Sequence, residues 1–210
     1  MVDIKTCGMR TAEAIDAALA RGATHIGFIF FPRSPRHVSV EDAERLRAHV
    51  GDRARVVAVT VDADDAALRE IVERVRPDML QLHGSETPER VREVRERFAL
   101  PVIRALALRE RGDLERARGF DADIMLFDAK PPAGSDLPGG NGVSFDWTML
   151  RDWDRPFWLS GGVDATNATA ALRTGAAGLD LSSGLESAPG VKSTKRIDAF
   201  FDAIESVRAA

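Results

Sequence analysis

Cys7 is the only cysteine in 210 residues. A lone thiol excludes an internal disulfide and fits a reducing compartment. Histidine is sparse as well. His25, His37, His49 and His83 are scattered, with no pair at the short intervals that metal sites use, so no bound metal is expected. No stretch reaches the roughly 18 consecutive apolar residues of a membrane span. The N-terminus lacks the basic segment and apolar run of a secretory signal, and the expected location is the cytoplasm. Basic blocks are missing too, and the formal net charge is −4. Arg90, Arg92, Arg95 and Arg97 alternate with Glu89, Glu93 and Glu96. That pattern makes a solvated helix face, which argues against nucleic acid or an anionic membrane as partner.

What the chain does have is ordinary globular composition, 44% hydrophobic and 30% charged, in a length that one core can serve. Short apolar runs alternate with helix-period stretches from end to end. Strands are predicted at 2–6, 24–30, 55–61, 79–82, 101–106, 124–128, 157–160 and 178–181. Leu68, Ile71, Val72 and Val75 form one helical stripe, and Ile197, Phe200, Phe201 and Ile204 another. Thr87-Pro88 places a capping hydroxyl before a proline at the first helical position. Ser39 with Asp42 reads as a capping box, and Gly22 and Gly175 read as left-handed helix ends. Eight strand–helix units whose strands are too apolar to expose a face predict a (β/α)₈ barrel, a single α/β domain over residues 1–210. The competing architecture is an open, doubly wound sheet. The Pro- and Gly-rich segment 129–142, after the sixth strand, reads as a functional loop.

Such barrels build their active sites at the C-terminal ends of the strands. Cys7-Gly8 ends the first strand, Arg33, Arg36 and His37 follow the second, His83 ends the fourth, and Asp128 ends the sixth. Ser160-Gly161-Gly162-Val163 follows the seventh, entering a helix expected near Asp164. Asp180-Leu181-Ser182-Ser183-Gly184 follows the eighth. Glycines there let main-chain N–H groups approach a dianion, and loops seven and eight are the recurrent phosphate site of this fold. Cys7 and Asp128 face each other across the mouth. A thiolate can act as base where positive charge lowers its pKa, and a carboxylic acid can donate where its surroundings hold the proton. Lys5 shares a strand face with Cys7, and its charge can support either state. Taken singly, each residue has a plainer reading: Cys7 as a small buried hydrophobe, Asp128 as a surface turn or helix cap, Arg36 as a solvated loop cation, His83 as a satisfied polar side chain.

Taken together, "IKTCGMR", "GFIFFPRSPRHVS", "LQLHGSE", "LFDAK", "LPGGNGVSFDW", "LSGGV" and "GLDLSSGLESAPGVKS" occur in order over nearly the whole chain. This series resembles the phosphoribosylanthranilate isomerases of tryptophan biosynthesis. The resemblance implies a cofactor-free Amadori rearrangement of a phosphorylated aminosugar. It places Cys7 as general base, Asp128 as general acid and Arg36 at the anthranilate carboxylate. Gly161, Gly162, Asp180 and Ser182, with Ser183 beside them, fall at the phosphate pocket, and His83 at the rim of the site. It also implies that segment 129–142 closes over the substrate. Three departures stand out. Thr6 replaces an aliphatic, Thr60 replaces an aromatic expected to face the anthranilate ring, and Ser193 replaces an aspartate cap. Rival readings are another sugar-phosphate barrel, such as a histidine-pathway isomerase or a pentose-phosphate epimerase, and a catalytically silent phospho-ligand sensor. The first rival would carry aspartate in place of Cys7, the second His/Asp metal ligands, and the third would have lost the thiol and the acid. A monomer or a homodimer fits the helix faces equally.

Overall fold

The apolar runs pair in chain order. The computed structural model of the chain describes residues 2–129, 139 and 144–208, with side chains to residue 205. Its strands are β1 (Asp3–Cys7), β2 (His25–Phe30), β3 (Arg55–Thr60), β4 (Met79–Leu82), β5 (Val102–Leu108), β6 (Ile124–Ala129), β7 (Phe157–Leu159) and β8 (Gly178–Leu181). All are parallel neighbours in one closed barrel, which excludes the open sheet. Closure falls to β1, which sets Cys7 beside Gly27 of β2 and Lys5 beside Asp180 of β8. Cys7 is thus the last residue of its strand, one place later than expected.

Alternation along the strands creates two cores. Cys7, Val57, Val59, Met79, Ile103, Ala105, Leu126 and Trp158 form the cluster in the lumen. Residues of opposite parity, such as Ile4, Phe28, Val56, Leu80 and Phe127, join the core beneath the helices. Trp158 fits because β8 offers Gly178, where a Cβ would stand 2.5 Å from the indole nitrogen.

The helices are α1 (Ala12–Ala20), α2 (Val40–Val50), α3 (Asp65–Val75), α4 (Pro88–Phe98), α5 (Arg111–Arg118), α6 (Ala168–Leu172) and α7 (Thr194–Arg208). Thr87 caps α4 as predicted, accepting the Arg90 N–H with Pro88 in the first turn. Ser39 accepts the Asp42 N–H, but the Asp42 carboxylate returns to the Ser39 hydroxyl and not to its main chain. The capping box is therefore half formed. Gly22 and Gly175 take φ of 91° and 80°, as their places after helices require. Ser193 caps α7 through the Arg196 N–H, so its hydroxyl serves in place of an aspartate.

Two parts differ from the expected repeat. Between β6 and β7 the described residues form a 3₁₀ helix, Trp147–Asp152, capped by Asp146. The short run from that cap to Pro156 and β7 leaves no room for an α-helix of ordinary length. After β8 comes a 3₁₀ turn, Ser183–Leu185, then an antiparallel hairpin of β9 (Glu186–Ala188) and β10 (Val191–Lys192). Apart from Ala129 and Gly139, the predicted flap 129–142 lies outside the described residues. Among the described residues no helix is long and apolar enough to cross a membrane.

At the N-terminal end of the barrel, His25 is 4% exposed, with its ring edge-on to Trp158 and its Nδ1 2.8 Å from Thr24 Oγ1. Burial pulls its pKa from 6.5 down to about 4. The folded state therefore resists protonation that the unfolded chain accepts. Stability from this source is complete above pH 6.5 and is lost as pH falls towards about 4. The stability lost between pH 7 and pH 4, measured by urea titration, should be smaller in His25→Gln than in the parent by about 3 kcal/mol. An identical loss in both proteins would show that His25 is not the responsible group.

Candidate active site

A cavity opens at the C-terminal ends of the strands, and all nine predicted site residues line it. Cys7, Asp180, Ser182 and Ser183 come from the β1–β8 side, Gly161 and Gly162 from the turn after β7, Asp128 from β6, His83 from β4 and Arg36 from the loop after β2. The site is built on strand ends, where the backbone is held by pairing on both sides.

The thiol stands above a buried ion pair. Lys5 is fully buried on the lumen face two residues before Cys7, and its Nζ lies 2.9 Å from each carboxylate oxygen of Asp180. Gly27 makes room for both groups, because a Cβ there would come within 2.9 Å of the Cys7 sulfur and 3.1 Å of Lys5 Cε. Burial raises the Cys7 pKa, and the adjacent Lys5 ammonium opposes that rise without cancelling it. The balance favours the thiol over the thiolate despite the neighbouring cation. Lys5 itself loses by burial, but Asp180 and Cys7 more than compensate and hold its pKa above the ordinary lysine value.

On the opposite wall Asp128 is 3% exposed. Its Oδ1 accepts the Ala129 N–H at 2.7 Å, and its Oδ2 lies 3.4 Å from His83 Nε2. His83 Nδ1 is in turn 3.1 Å from Gln81 Nε2. Asp128 is therefore a buried carboxyl facing a histidine, and not the helix cap that a local reading allowed.

The turn after β7 is made by Gly161 and Gly162, with φ of 83° and 70°. A Cβ on Gly161 would stand 2.5 Å from the Ala129 nitrogen, so main-chain atoms occupy this wall. Asn167 ties the turn, donating to the Gly162 carbonyl at 2.7 Å and accepting the Asp164 N–H at 3.0 Å. The helix expected near Asp164 starts only at Ala168. Asp164 instead caps a tight turn through the Thr166 N–H and hydroxyl. Across the gap, the Ser182 hydroxyl donates to the Cys7 carbonyl at 3.3 Å.

Arg36 is not a solvated loop cation. It is 4% exposed, and its Nε and Nη2 donate to the two Glu186 oxygens at 2.7 and 2.8 Å. Glu186 also accepts from Lys192 Nζ at 2.7 Å, and Lys192 reaches the Ser182 carbonyl at 3.0 Å. The bonds from Arg36 and Lys192 keep the Glu186 carboxyl below its usual range despite burial, whereas burial lowers the Lys192 ammonium. Thr60 is also corrected. It is fully buried but absent from the cavity wall, where Val59 and Val61 stand. Even and odd residues of β3 face opposite sides, so Thr60 points towards the helix layer.

Sequence reasoning missed Gln81, Asn167, Glu186 and Lys192. Gln81 was within reach, since it lies two residues before His83 on the same strand. Glu186 and Lys192 lie inside the quoted "LESAPGVK", but only the hairpin folds them back onto Arg36.

Fold and site together define a (β/α)₈-barrel isomerase. The family model described as N-(5'phosphoribosyl)anthranilate (PRA) isomerase matches residues 4–203. The chain belongs to that family. It is 60% identical to the N-(5'-phosphoribosyl)anthranilate isomerase of Brucella canis, over 99% of this chain and 96% of that one. Similar solved structures include a phosphoribosyl anthranilate isomerase in complex with reduced 1-(o-carboxyphenylamino)-1-deoxyribulose 5-phosphate (TM-score 0.84, 30% identity, 98% of this chain and 100% of that one). Another is of mutually generated monomers of the dimeric enzyme from Thermotoga maritima (TM-score 0.85, 30% identity, 98% and 100%).

Gly161→Ala should lower stability by roughly 2 kcal/mol or more, because it adds left-handed strain to a clash with β6. Its kcat/KM should fall in parallel. Calorimetry and steady-state kinetics that match the parent would rule out the close packing described for this turn.

Proposed function

We propose that this isomerase converts N-(5-phosphoribosyl)anthranilate to 1-(2-carboxyphenylamino)-1-deoxyribulose 5-phosphate, with Cys7 as general base and Asp128 as general acid. The observation that carries the assignment is that a thiol on β1 and a carboxyl on β6 line one cavity whose shorter arc is the β7–β8 glycine and serine turn. A phosphate dianion on the main-chain amides of that arc leaves the sugar lying between the two groups.

Asp128 gives its proton to the furanose ring oxygen. The C1′–O bond breaks, and the nitrogen lone pair forms the C1′=N iminium. The Cys7 thiolate then removes the C2′ proton, and the electron pair moves to the iminium nitrogen to give an enolamine. Proton transfer from the C2′ hydroxyl oxygen and to C1′ yields the ketone. The substrate's own nitrogen is the electron sink, so no metal or organic cofactor takes part. Ring opening and deprotonation are coupled electrostatically, because the iminium cation formed beside Cys7 favours the thiolate that burial disfavours. Arg36, aimed by Glu186, meets the anthranilate carboxylate as a fixed cation.

One barrel domain spans residues 1–210 in this reading. The chain works as a monomer or a homodimer. A base that must stay a reduced thiol fits the cytoplasm.

Loss of anthranilate fluorescence follows the reaction with freshly made substrate. Cys7→Ala and Asp128→Ala should each reduce kcat by about 10³-fold or more with unchanged circular dichroism. Near-parental turnover in either would remove that residue from the mechanism. In the parent, kcat/KM should rise with pH through a group titrating above the ordinary thiol value, since the base must be deprotonated. A flat profile over that range would refute Cys7 as base. Arg36→Ala should mainly raise KM, and an unchanged KM would count against the carboxylate contact.

A further inference from the structure

Gln81 is fully buried on the lumen face of β4, in register with Val59 of β3 and Ile103 of β5, and it lines the cavity. Its Nε2 lies 3.1 Å from His83 Nδ1, and its Oε1 has no hydrogen-bond partner among the described residues. The apolar strand neighbours offer no donor. An orphaned carbonyl costs about 1–3 kcal/mol, which a methionine or leucine at this place would avoid.

The orientation of the amide follows from its neighbours. After Asp128 has given up its proton, its carboxylate favours the His83 tautomer with hydrogen on Nε2, the nitrogen 3.4 Å away. Nδ1 then carries the lone pair, and Gln81 must offer it N–H. The reverse amide would require hydrogen on Nδ1 and would set a lone pair against the carboxylate. The unpaired atom is therefore an acceptor, at the same wall as the acid.

We propose that Gln81 is a specificity-determining contact whose side-chain carbonyl accepts a hydrogen bond from a hydroxyl of the substrate's sugar chain beside Asp128, while its amide nitrogen holds His83 in one tautomer. This rests on the reading of the substrate as a phosphorylated aminosugar. Such a chain brings several hydroxyl donors past the acid, and one of them completes the hydrogen bonding that the protein leaves open.

The test uses Gln81→Met in the full chain, with Gln81→Leu as a second variant. Three quantities are compared with the parent: melting temperature, affinity for the reduced product analogue, and affinity for inorganic phosphate. The proposal predicts an equal or higher melting temperature, because an orphan is removed. It predicts analogue binding weaker by about tenfold or more, and phosphate binding unchanged. A lowered melting temperature with unchanged analogue affinity overturns it, since Gln81 would then be structural. Equal weakening of phosphate and analogue overturns it too. Absence of turnover by the parent would instead defeat the proposed reaction, leaving the comparison of Gln81 variants readable on its own.

Discussion

Lys5 on β1 and Asp180 on β8 meet at the seam where the barrel closes, with the ammonium 2.9 Å from both carboxylate oxygens. Neither charge could remain there alone, because a buried ion without its partner costs roughly 3–5 kcal/mol. The pair therefore specifies how β1 lies against β8, and with it the positions of everything above. Cys7 sits one pleat higher on the same face, and its carbonyl receives the Ser182 hydroxyl. The thiol and the β8 turn are consequently placed by one contact. Gly27 is part of the same constraint, since any larger residue would strike both the sulfur and the lysine stem.

A second ionic group lies close by, formed by Arg36, Glu186 and Lys192. With Lys5 and Asp180 it sets three cations against two anions on the side away from Asp128 of a cavity proposed to hold a phosphate and a carboxylate. The excess of positive charge suits that ligand, and the internal carboxylates keep the cations ordered before it arrives. The other wall is arranged differently. Asp128, His83 and Gln81 form a line of polar groups, anchored at one end by the Ala129 amide and open at the other. One wall is thus preset by salt bridges, and the other is finished by the ligand.

Much of this was legible in residue order. Periodicity located all eight strands, because strands buried on both faces are uninterrupted apolar runs bounded by caps and glycines. The nine residues singled out in the sequence line one cavity, because this fold gathers strand ends at one mouth. The family likeness supplied roles that single residues could not. What stayed hidden was long-range. Glu186 and Lys192 reach Arg36 only through a hairpin whose pairing has no local signature. The balance at Cys7 depends on burial outweighing a neighbouring cation, which spacing does not reveal. Thr60 was misplaced for a simpler reason, as a shift of one residue along a strand exchanges lumen for helix layer.

The central claim is that a sulfur and a carboxyl act on opposite sides of one sugar whose phosphate rests on the β7–β8 turn. A crystal structure with the reduced product analogue bound tests it most directly. The account predicts the phosphate on the Gly161, Gly162 and Ser183 amides, C2 within about 3.5 Å of the Cys7 sulfur, and Asp128 beside the C4 hydroxyl. A phosphate seated elsewhere, or a sugar chain that leaves either side chain out of reach, would contradict it.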